Sequence, residues 1–273
     1  LSLIFTIYQY DAFLYYSRLI NIQLLTFLTM MLLTDLVKIR HLIWVIVLSI
    51  GFYSIKGGIF TILTGGSYRV WGPTGSFIEE NNGLALATIM VIPLMYHLFS
   101  IERNRWTRYA IAAGIFFSLA SAVGSQSRGA LLAIVAVMGF FWLKTKNKLL
   151  TGILIIILAI TGFNFMPESW HNRMNTIQTY EEDSSAMGRI NAWIYSINIA
   201  NDRFLGGGFN SWAAENYALY SPDATLYSAA HSIYFGALAD HGWIGLIAFL
   251  LILWFTWQSL AGVIKKSKNN DKY

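Results

Sequence analysis

Three side chains that could bind an anion or exchange a proton lie within or at the edge of polar segments that long apolar runs flank. Arg128 lies in S-Q-S-R-G-A-L-L, Arg189 lies in S-A-M-G-R-I-N-A-W, and His231 begins H-S-I-Y-F-G-A-L-A-D-H-G-W-I-G. A guanidinium can hold a phosphate through two parallel hydrogen bonds, and an imidazole is well suited to accept a proton near neutral pH. These residue types predict a phosphate-like anion beside a proton acceptor, although a lone histidine at a helix start is more often a cap or a structural residue.

Arg189 is followed four residues later by Trp193, and apolar residues recur around this pair at helical spacing. We predict a short amphipathic helix lying on a bundle, with Arg189 and Trp193 on a common side. An arginine beside a tryptophan suits a sugar phosphate, whereas tryptophan in a membrane-interface belt is the commoner case. The apolar side of this helix is predicted to contain Met187, Ile190, Ile194 and Ile197.

Other arginines in the polar segments have less specific surroundings. They are interpreted as interfacial side chains or as partners of the acids Glu181, Glu182 and Asp183. These arginines are Arg69, Arg173 and Arg203.

Two further patterns are weaker candidates than His231. Asp240 and His241 would form a second, lower-ranked candidate site if they are buried inside a bundle, because ionisable residues there are rarely without a role. The triple glycine Gly206–Gly208 is too weak a pattern for phosphate binding, and it predicts a sharp turn that ends the Arg189 helix.

The chain contains no cysteine, which excludes disulfides and thiolate metal sites. Its His, Asp and Glu residues do not occur at metal-ligand spacing, and it lacks a phosphate-cradling Walker loop. We therefore predict no metal, no cofactor and no nucleotide hydrolysis, and we expect no nucleic-acid partner.

The composition indicates a membrane protein. Hydrophobic residues make up 56% of the chain, charged residues 12%, and the mean hydropathy is +0.51, whereas soluble domains carry about 25% charged residues. The predicted fold class is all-α, a polytopic transmembrane helix bundle forming a single membrane domain over 1–273, with one large, partly helical extracytoplasmic loop at 167–230. The chain starts at a leucine without the features of a signal peptide, so we expect a fragment of a longer protein.

Seven apolar runs come close to the roughly 20 residues that a membrane span needs. Residues 1–18 are interrupted by polar side chains and are interpreted as an interfacial segment or the remnant of a span. Pro93 lies inside one run and is tolerated because neighbouring helices can satisfy the freed backbone groups. The predicted spans are Leu19–Thr34, Leu42–Thr64, Gly83–Ile101, Tyr109–Gly124, Ala130–Leu143, Leu149–Phe165 and Ile233–Ile264.

The basic residues predict the orientation of these spans. Twelve of the 19 Lys and Arg residues lie in four segments, around Lys38, Arg105, Lys146 and Lys266, each separated from the next by an even number of spans. Charge and span count therefore agree that these four segments face the cytoplasm. The remaining segments are predicted to face outward, and in a Gram-negative cell that side is the periplasm. They are Gly65–Asn82, Ser125–Arg128 and Pro167–Ala230.

Several motifs together resemble the O-antigen ligase and O-antigen polymerase superfamily. They are the H-S-x9-G-x-x-G stretch that begins at His231, the R-x3-L of Arg128 and Leu132, and G-R-I-N-A-W in a large outer loop. The resemblance covers roughly residues 70–262, and the earlier spans expected of the family are absent. Finer features resemble its exosortase-associated O-glycosylation ligase branch. These are Phe77–Ala87, Ser127–Ala133, Phe165–Trp170 and Ala230–Phe235.

The resemblance implies a GT-C-like, metal-independent glycosyltransferase in the bacterial inner membrane, with its active site facing the periplasm. Its donor would be a glycan on undecaprenyl diphosphate, and its acceptor a hydroxyl of a glycan, lipid or protein. On this basis we predict that Arg128 and Arg189 clamp the diphosphate and that His231 is either the base or a diphosphate ligand. The predicted substrate-binding residues are Arg128, Arg189, Trp193, Gly207 and Ser232.

Three alternatives stay open at the level of sequence. A polymerase would use the same residues with a different acceptor. A transporter of the same lipid-linked glycan is less favoured, because the chain shows no internal repeat and its basic residues cluster at one face. A noncatalytic membrane scaffold is the third alternative.

Overall fold

The computed structural model describes residues 3–175, 184–209 and 211–269. These residues form helices and no strand, which confirms the predicted all-α, polytopic fold class. Five of the helices (α2, α3, α4, α6 and α10) are long and apolar enough to cross a membrane. The helices are α1 Gln9–Leu32, α2 Leu36–Leu63, α3 Asn81–Ile101, α4 Arg105–Gly124, α5 Arg128–Lys144, α6 Lys148–Phe165, α7 Glu168–Asn175, α8 Ser184–Asp202, α9 Ala214–Tyr220 and α10 Ile233–Asn269.

The helix bounds follow the predicted apolar runs closely, except at the N-terminus. The helices α1 and α5, at the predicted spans Leu19–Thr34 and Ala130–Leu143, are not among the five that are long and apolar enough to cross a membrane, so these two spans stay predictions. The boundary predicted at Leu19 is wrong, because α1 continues from Gln9 to Leu32 without a break. Asp11 lies in the first turn of α1, where a negative charge interacts favourably with the helix dipole. A polar residue that interrupts an apolar run can therefore stabilise a helix start.

The chain forms two compact units. Unit 1 combines Leu1–Met30 with Thr179–Tyr273, and unit 2 consists of Met31–Gln178. Unit 1 thus contains most of α1 with α8, α9 and α10, and unit 2 contains α2 to α7. The single membrane domain over 1–273 stays a prediction.

Unit 2 is built on three mutually packed helices, α2, α3 and α4, with α5 packed on α3 and α4. One buried cluster joins Val47 of α2, Met95 of α3 and Ile111 of α4. Inside this apolar region the hydroxyls of Ser54 and Thr88 lie 2.9 Å apart and hydrogen-bond, so neither polar group is buried without a partner.

At the two ends of unit 2, segments that were predicted to face the same side of the membrane contact one another. At one end, Arg40 of α2 forms an ion pair of 2.9 Å with Glu102, just after α3. At the other end, the Gln126 amide donates to the Gly66 carbonyl at 3.0 Å, and the Trp170 indole donates to the Val123 carbonyl at 3.3 Å. The parts of the three outward-predicted segments that belong to unit 2 therefore meet at one end.

Unit 1 has its own core, in which α8 packs against α9 and α10. The residues of α8 that enter this core are Ala192, Tyr195 and Ile199. The predicted apolar side of this helix is therefore wrong, since Ile194 is exposed and Met187, Ile190 and Ile197 are not fully buried. Small residues let α8 approach its neighbours closely, which selects the face with alanine and serine. The face that packs contains Ala192, Tyr195, Ser196, Ile199 and Ala200.

Candidate functional site

The turn before α5 is anchored by buried polar side chains. Gln126 has a positive φ of 54°, a conformation that costs most residues about 1–2 kcal/mol. Its amide bonds to Gly66 as described, and the amide of Asn81 donates to the Ser125 carbonyl at 2.9 Å. Both amide side chains are buried. The segment from Ser125 is thus fixed by two residues that are distant in sequence.

Arg128 is the first residue of α5 and is half-buried. The hydroxyl of Ser127 caps this helix by accepting from the backbone N–H of Ala130 at 3.2 Å, a geometry worth about 1 kcal/mol. The fixed turn and the cap together define where the Arg128 side chain leaves the backbone of unit 2.

In unit 1, Asn191 ties the loop after α9 to α8. Its amide nitrogen donates to the Asp223 carbonyl at 2.6 Å and to the Tyr217 hydroxyl at 3.1 Å. Its amide oxygen accepts from the Asp223 backbone N–H at 3.0 Å. Burial raises the pKa of Tyr217, so this hydroxyl stays protonated and can donate in turn to the Leu226 carbonyl at 3.1 Å.

Trp193 holds the end of the same loop. Its indole N–H donates to the Ala230 carbonyl at 2.8 Å. Its ring stacks on Phe235 of α10, with centroids 5.0 Å apart and an interplanar angle of 9°. Trp193 therefore contacts the chain on both sides of His231.

His231 is exposed and has a positive φ of 45°. A non-glycine residue in this region stores about 1–3 kcal/mol and persists only when its surroundings fix it. Ser232 follows half-buried, and its carbonyl accepts the N–H of Gly236 at 2.9 Å, which begins the bonding pattern of α10. The imidazole thus leaves the chain at a strained position just before a helix.

Arg189 lies on α8 one turn before Trp193 and is half-buried. Its Nε is buried and has no hydrogen-bond partner among the described residues. A Cβ added at the preceding Gly188 would lie 3.2 Å from the Ser228 Cβ, so the segment that leads to His231 runs alongside this part of α8. Both Arg189 and Trp193 therefore lie on the part of α8 that borders the segment leading to His231.

The triple glycine packs against a bend in α10. Gly242 interrupts that helix with φ 65° and ψ −166°, and a Cβ there would collide with the Phe204 carbonyl. The N–H groups of Gly207 and Gly208 donate to the carbonyls of Ala239 and Asp240 at 2.8 and 3.0 Å. The predicted turn is confirmed, because α8 ends at Asp202 just before it, and the substrate-binding role of Gly207 stays a prediction.

The second candidate site, Asp240 and His241, has partners inside unit 1. The Ser211 hydroxyl donates to Asp240 Oδ1 at 3.3 Å, and the His241 ring lies 4.9 Å from the ring of Phe209, edge on. No three His, Asp or Glu side chains in the described ranges come together as metal ligands do. Metal independence stays a prediction.

Arg203 bonds to backbone carbonyls, a structural role that was not predicted from the sequence. Its guanidinium donates to the Phe5 carbonyl at 2.7 Å and to the Gly206 carbonyl at 3.3 Å. Arg69 is exposed in the loop after α2. The side chain of Arg173 and the acids at 181–183 lie outside the described residues, so that pairing stays a prediction.

Sequence reasoning did not single out Asn81, Asn191 or Trp170. Each lies in a motif that carried the family resemblance, namely Phe77–Ala87, G-R-I-N-A-W and Phe165–Trp170. An uncharged amide among apolar residues is a usable signal, because a buried amide needs partners. The identity of those partners depends on contacts more than 30 residues away along the chain.

Comparison with protein families gave two matches. The model of the O-Antigen ligase family (Wzy_C) matches residues 113–250, and a Family of unknown function (DUF5935) matches residues 1–103. Comparison with curated proteins and with solved structures gave no match. The chain is a multi-pass membrane protein, and it belongs to the O-antigen ligase family. The exosortase-associated branch stays a prediction.

Proposed function

We propose that this chain moves a glycan from undecaprenyl diphosphate to a hydroxyl of a glycan, lipid or protein acceptor, without a metal ion. Arg128 and Arg189 bind the diphosphate, and His231 acts as the base or as a further diphosphate ligand. The reaction takes place on the periplasmic side of the bacterial inner membrane. Membership of the O-antigen ligase family supports this class of reaction.

The observation that carries the proposal is the buried Nε of Arg189, which has no hydrogen-bond partner among the described residues and lies on α8 beside the segment that leads to His231. A buried donor without an acceptor costs about 1–3 kcal/mol, and an anionic ligand would remove that cost. A diphosphate offers several oxygens to a guanidinium. An exposed imidazole in the same unit provides the proton-exchanging group that transfer to a hydroxyl needs.

The reaction balances with these groups. The acceptor oxygen forms a bond to the anomeric carbon while the bond from that carbon to the diphosphate oxygen breaks. The bonding electron pair leaves with undecaprenyl diphosphate, whose negative charge the two arginines stabilise. The hydroxyl proton passes to the imidazole of His231 if that residue is the base.

The test is transfer by the purified chain, reconstituted in lipid with an undecaprenyl-diphosphate-linked glycan and candidate acceptors. We expect release of undecaprenyl diphosphate without ATP and in the presence of EDTA. Arg189→Ala and His231→Ala should each lower the rate by at least about 100-fold, and Arg128→Ala should do the same. Arg69→Ala is the matched control, since it removes an exposed cation and should leave the rate unchanged.

The products discriminate among the alternatives. A single transfer to lipid or protein indicates a ligase, and growth of long chains on the donor indicates a polymerase. Movement of the intact donor across the bilayer, without release of diphosphate, would replace the transferase proposal with a transporter. Near-normal transfer by all three variants would reject the proposed residues.

A further inference from the structure

We propose that Trp193 is a positioning residue for His231, a role different from a direct contact with sugar. This inference rests on the proposed function, because it concerns how His231 is presented to the reacting groups. It is carried by two contacts of one side chain, the hydrogen bond to Ala230 and the stack on Phe235.

The backbone of His231 needs external support. Its φ of 45° is sparsely populated for a residue with a side chain, and its own side chain is exposed. A side chain that reaches toward a substrate does not anchor its own backbone. The support must therefore act on the neighbouring residues.

Trp193 supplies that support from both directions. The indole N–H fixes the carbonyl of Ala230, which immediately precedes His231. The indole ring lies flat against Phe235, one helical turn after His231. A single rigid side chain thus sets the entry of the chain into His231 and the first turn of α10 after it.

The part of α8 that carries Trp193 is itself firmly held. The adjacent Ala192 is fully buried in the core of unit 1, and Asn191 is bonded to Asp223 from both ends of its amide. α8 also packs along α10. Trp193 therefore transmits the position of a well-packed helix to a strained, exposed residue.

The consequence is a rate effect that appears mainly in kcat. A displacement of a reacting group by about 1 Å can lower the rate by about 100-fold. Trp193→Phe keeps an aromatic ring to stack on Phe235 and removes only the donor to Ala230. We expect this variant to lower kcat by about tenfold and to change KM for the donor by less than about twofold.

Trp243→Phe is the matched control. Trp243 lies in the same unit, and its indole N–H also donates one hydrogen bond, to Asn201 Oδ1 at 3.0 Å. Both variants lose one indole hydrogen bond, so a purely structural role predicts equal effects on transfer. We expect Trp243→Phe to keep kcat within about twofold of the unmodified chain.

The split between kcat and KM separates positioning from general loss of structure. Misplacement of His231 lowers kcat and leaves KM for the donor nearly unchanged, whereas general loss of structure also lowers thermal stability. We expect Trp193→Phe and Trp243→Phe to unfold at similar temperatures in detergent and to differ in kcat. Equal kcat for the two variants would overturn the positioning role.

Two further variants keep the outcomes distinguishable. If Trp193→Phe does not accumulate in the membrane, Phe235→Leu carries the same test, because it removes the stacking partner and leaves the indole donor in place. A selective fall in kcat relative to Trp243→Phe supports the inference, and no fall overturns it. Absence of transfer by the unmodified chain would instead reject the proposed function, and full activity of His231→Ala would remove the role of His231 on which this inference rests.

Discussion

The turns that precede α5 and α10 each contain one residue with positive φ, yet they are stabilised differently. Before α5, the strained residue is Gln126, which is buried and bonds to Gly66, while the candidate residue Arg128 follows in ordinary helix. Before α10, the strained residue is His231, which is exposed and is itself the candidate.

The two turns differ in which side chain holds the strained backbone. Gln126 can anchor its own backbone because its side chain has no other proposed use. The side chain of His231 is exposed, and Trp193 donates to the carbonyl of the neighbouring Ala230. The backbone at this strained residue is therefore held through its neighbour.

The helices that follow also differ. α5 runs without a bend over Arg128–Lys144, whereas α10 bends at Gly242. The bend separates the two turns after His231 from the rest of the span. The carbonyls that it frees are bonded by the triple-glycine segment, as the N–H groups of Gly207 and Gly208 show.

The largest expected effect tests this bend. Gly242→Ala places a Cβ at φ 65° against the Phe204 carbonyl, and strain and overpacking together should cost about 3 kcal/mol or more. Thermal unfolding in detergent measures this loss. The control is Gly262→Ala in the same helix, where a Cβ meets no atom within 4 Å, so its stability should be unchanged or slightly raised. Equal stability of the two variants would contradict the role of the bend.

The anchor in the first turn is tested by Gln126→Ala. The substitution removes the amide that donates to the Gly66 carbonyl, and this hydrogen bond is buried. We expect the free energy of unfolding to fall by about 1–3 kcal/mol. His231→Ala is the comparison, because its exposed side chain should change the stability by less than about 0.5 kcal/mol. A comparable loss in both variants would remove the distinction between the turns.

The strain in the second turn is tested by His231→Gly. Glycine adopts positive φ without a steric penalty, so the variant should gain about 1 kcal/mol of stability. Transfer should nevertheless be lost along with the imidazole. Thermal unfolding and the transfer assay on one preparation measure both effects. A fall in stability would show that the His231 side chain contributes to folding after all.

The smallest expected effect concerns the cap of α5. Ser127→Ala removes the hydroxyl that accepts from the Ala130 N–H and should cost about 1 kcal/mol. Ser127→Thr keeps a hydroxyl and should retain most of the stability. Thermal unfolding of both variants provides the measurement, and an equal loss in alanine and threonine would argue against a capping role.

Much of the fold was predictable because membrane helices must satisfy a local requirement. A span needs a long apolar run wherever it lies in the chain, so α2, α3, α4, α6 and α10 could be located from hydropathy alone. Charge added the grouping of segments, and the ion pair between Arg40 and Glu102 agrees with that grouping inside unit 2.

The chemical types of the candidate site were also visible in the sequence. Arg128 and His231 stood out at the ends of apolar runs, and Arg189 stood out beside Trp193 in the polar segment between two such runs. The matched family covers all three residues. Their supports were not visible. The predicted isoleucine face of α8 was wrong because hydropathy does not distinguish an apolar side chain that stays exposed from one that packs on another helix.

Sequence by itself determined the class of fold, the family and the residue types available for chemistry, since these depend on composition and on short motifs. Only the tertiary structure decided that Asn191 and Trp193 hold the chain leading to His231, that Gly242 bends α10, and that Arg189 Nε lacks a partner in the described part of the chain. The physical reason is range. Hydropathy acts residue by residue, whereas a hydrogen bond or a strained dihedral is fixed by atoms that only folding brings together.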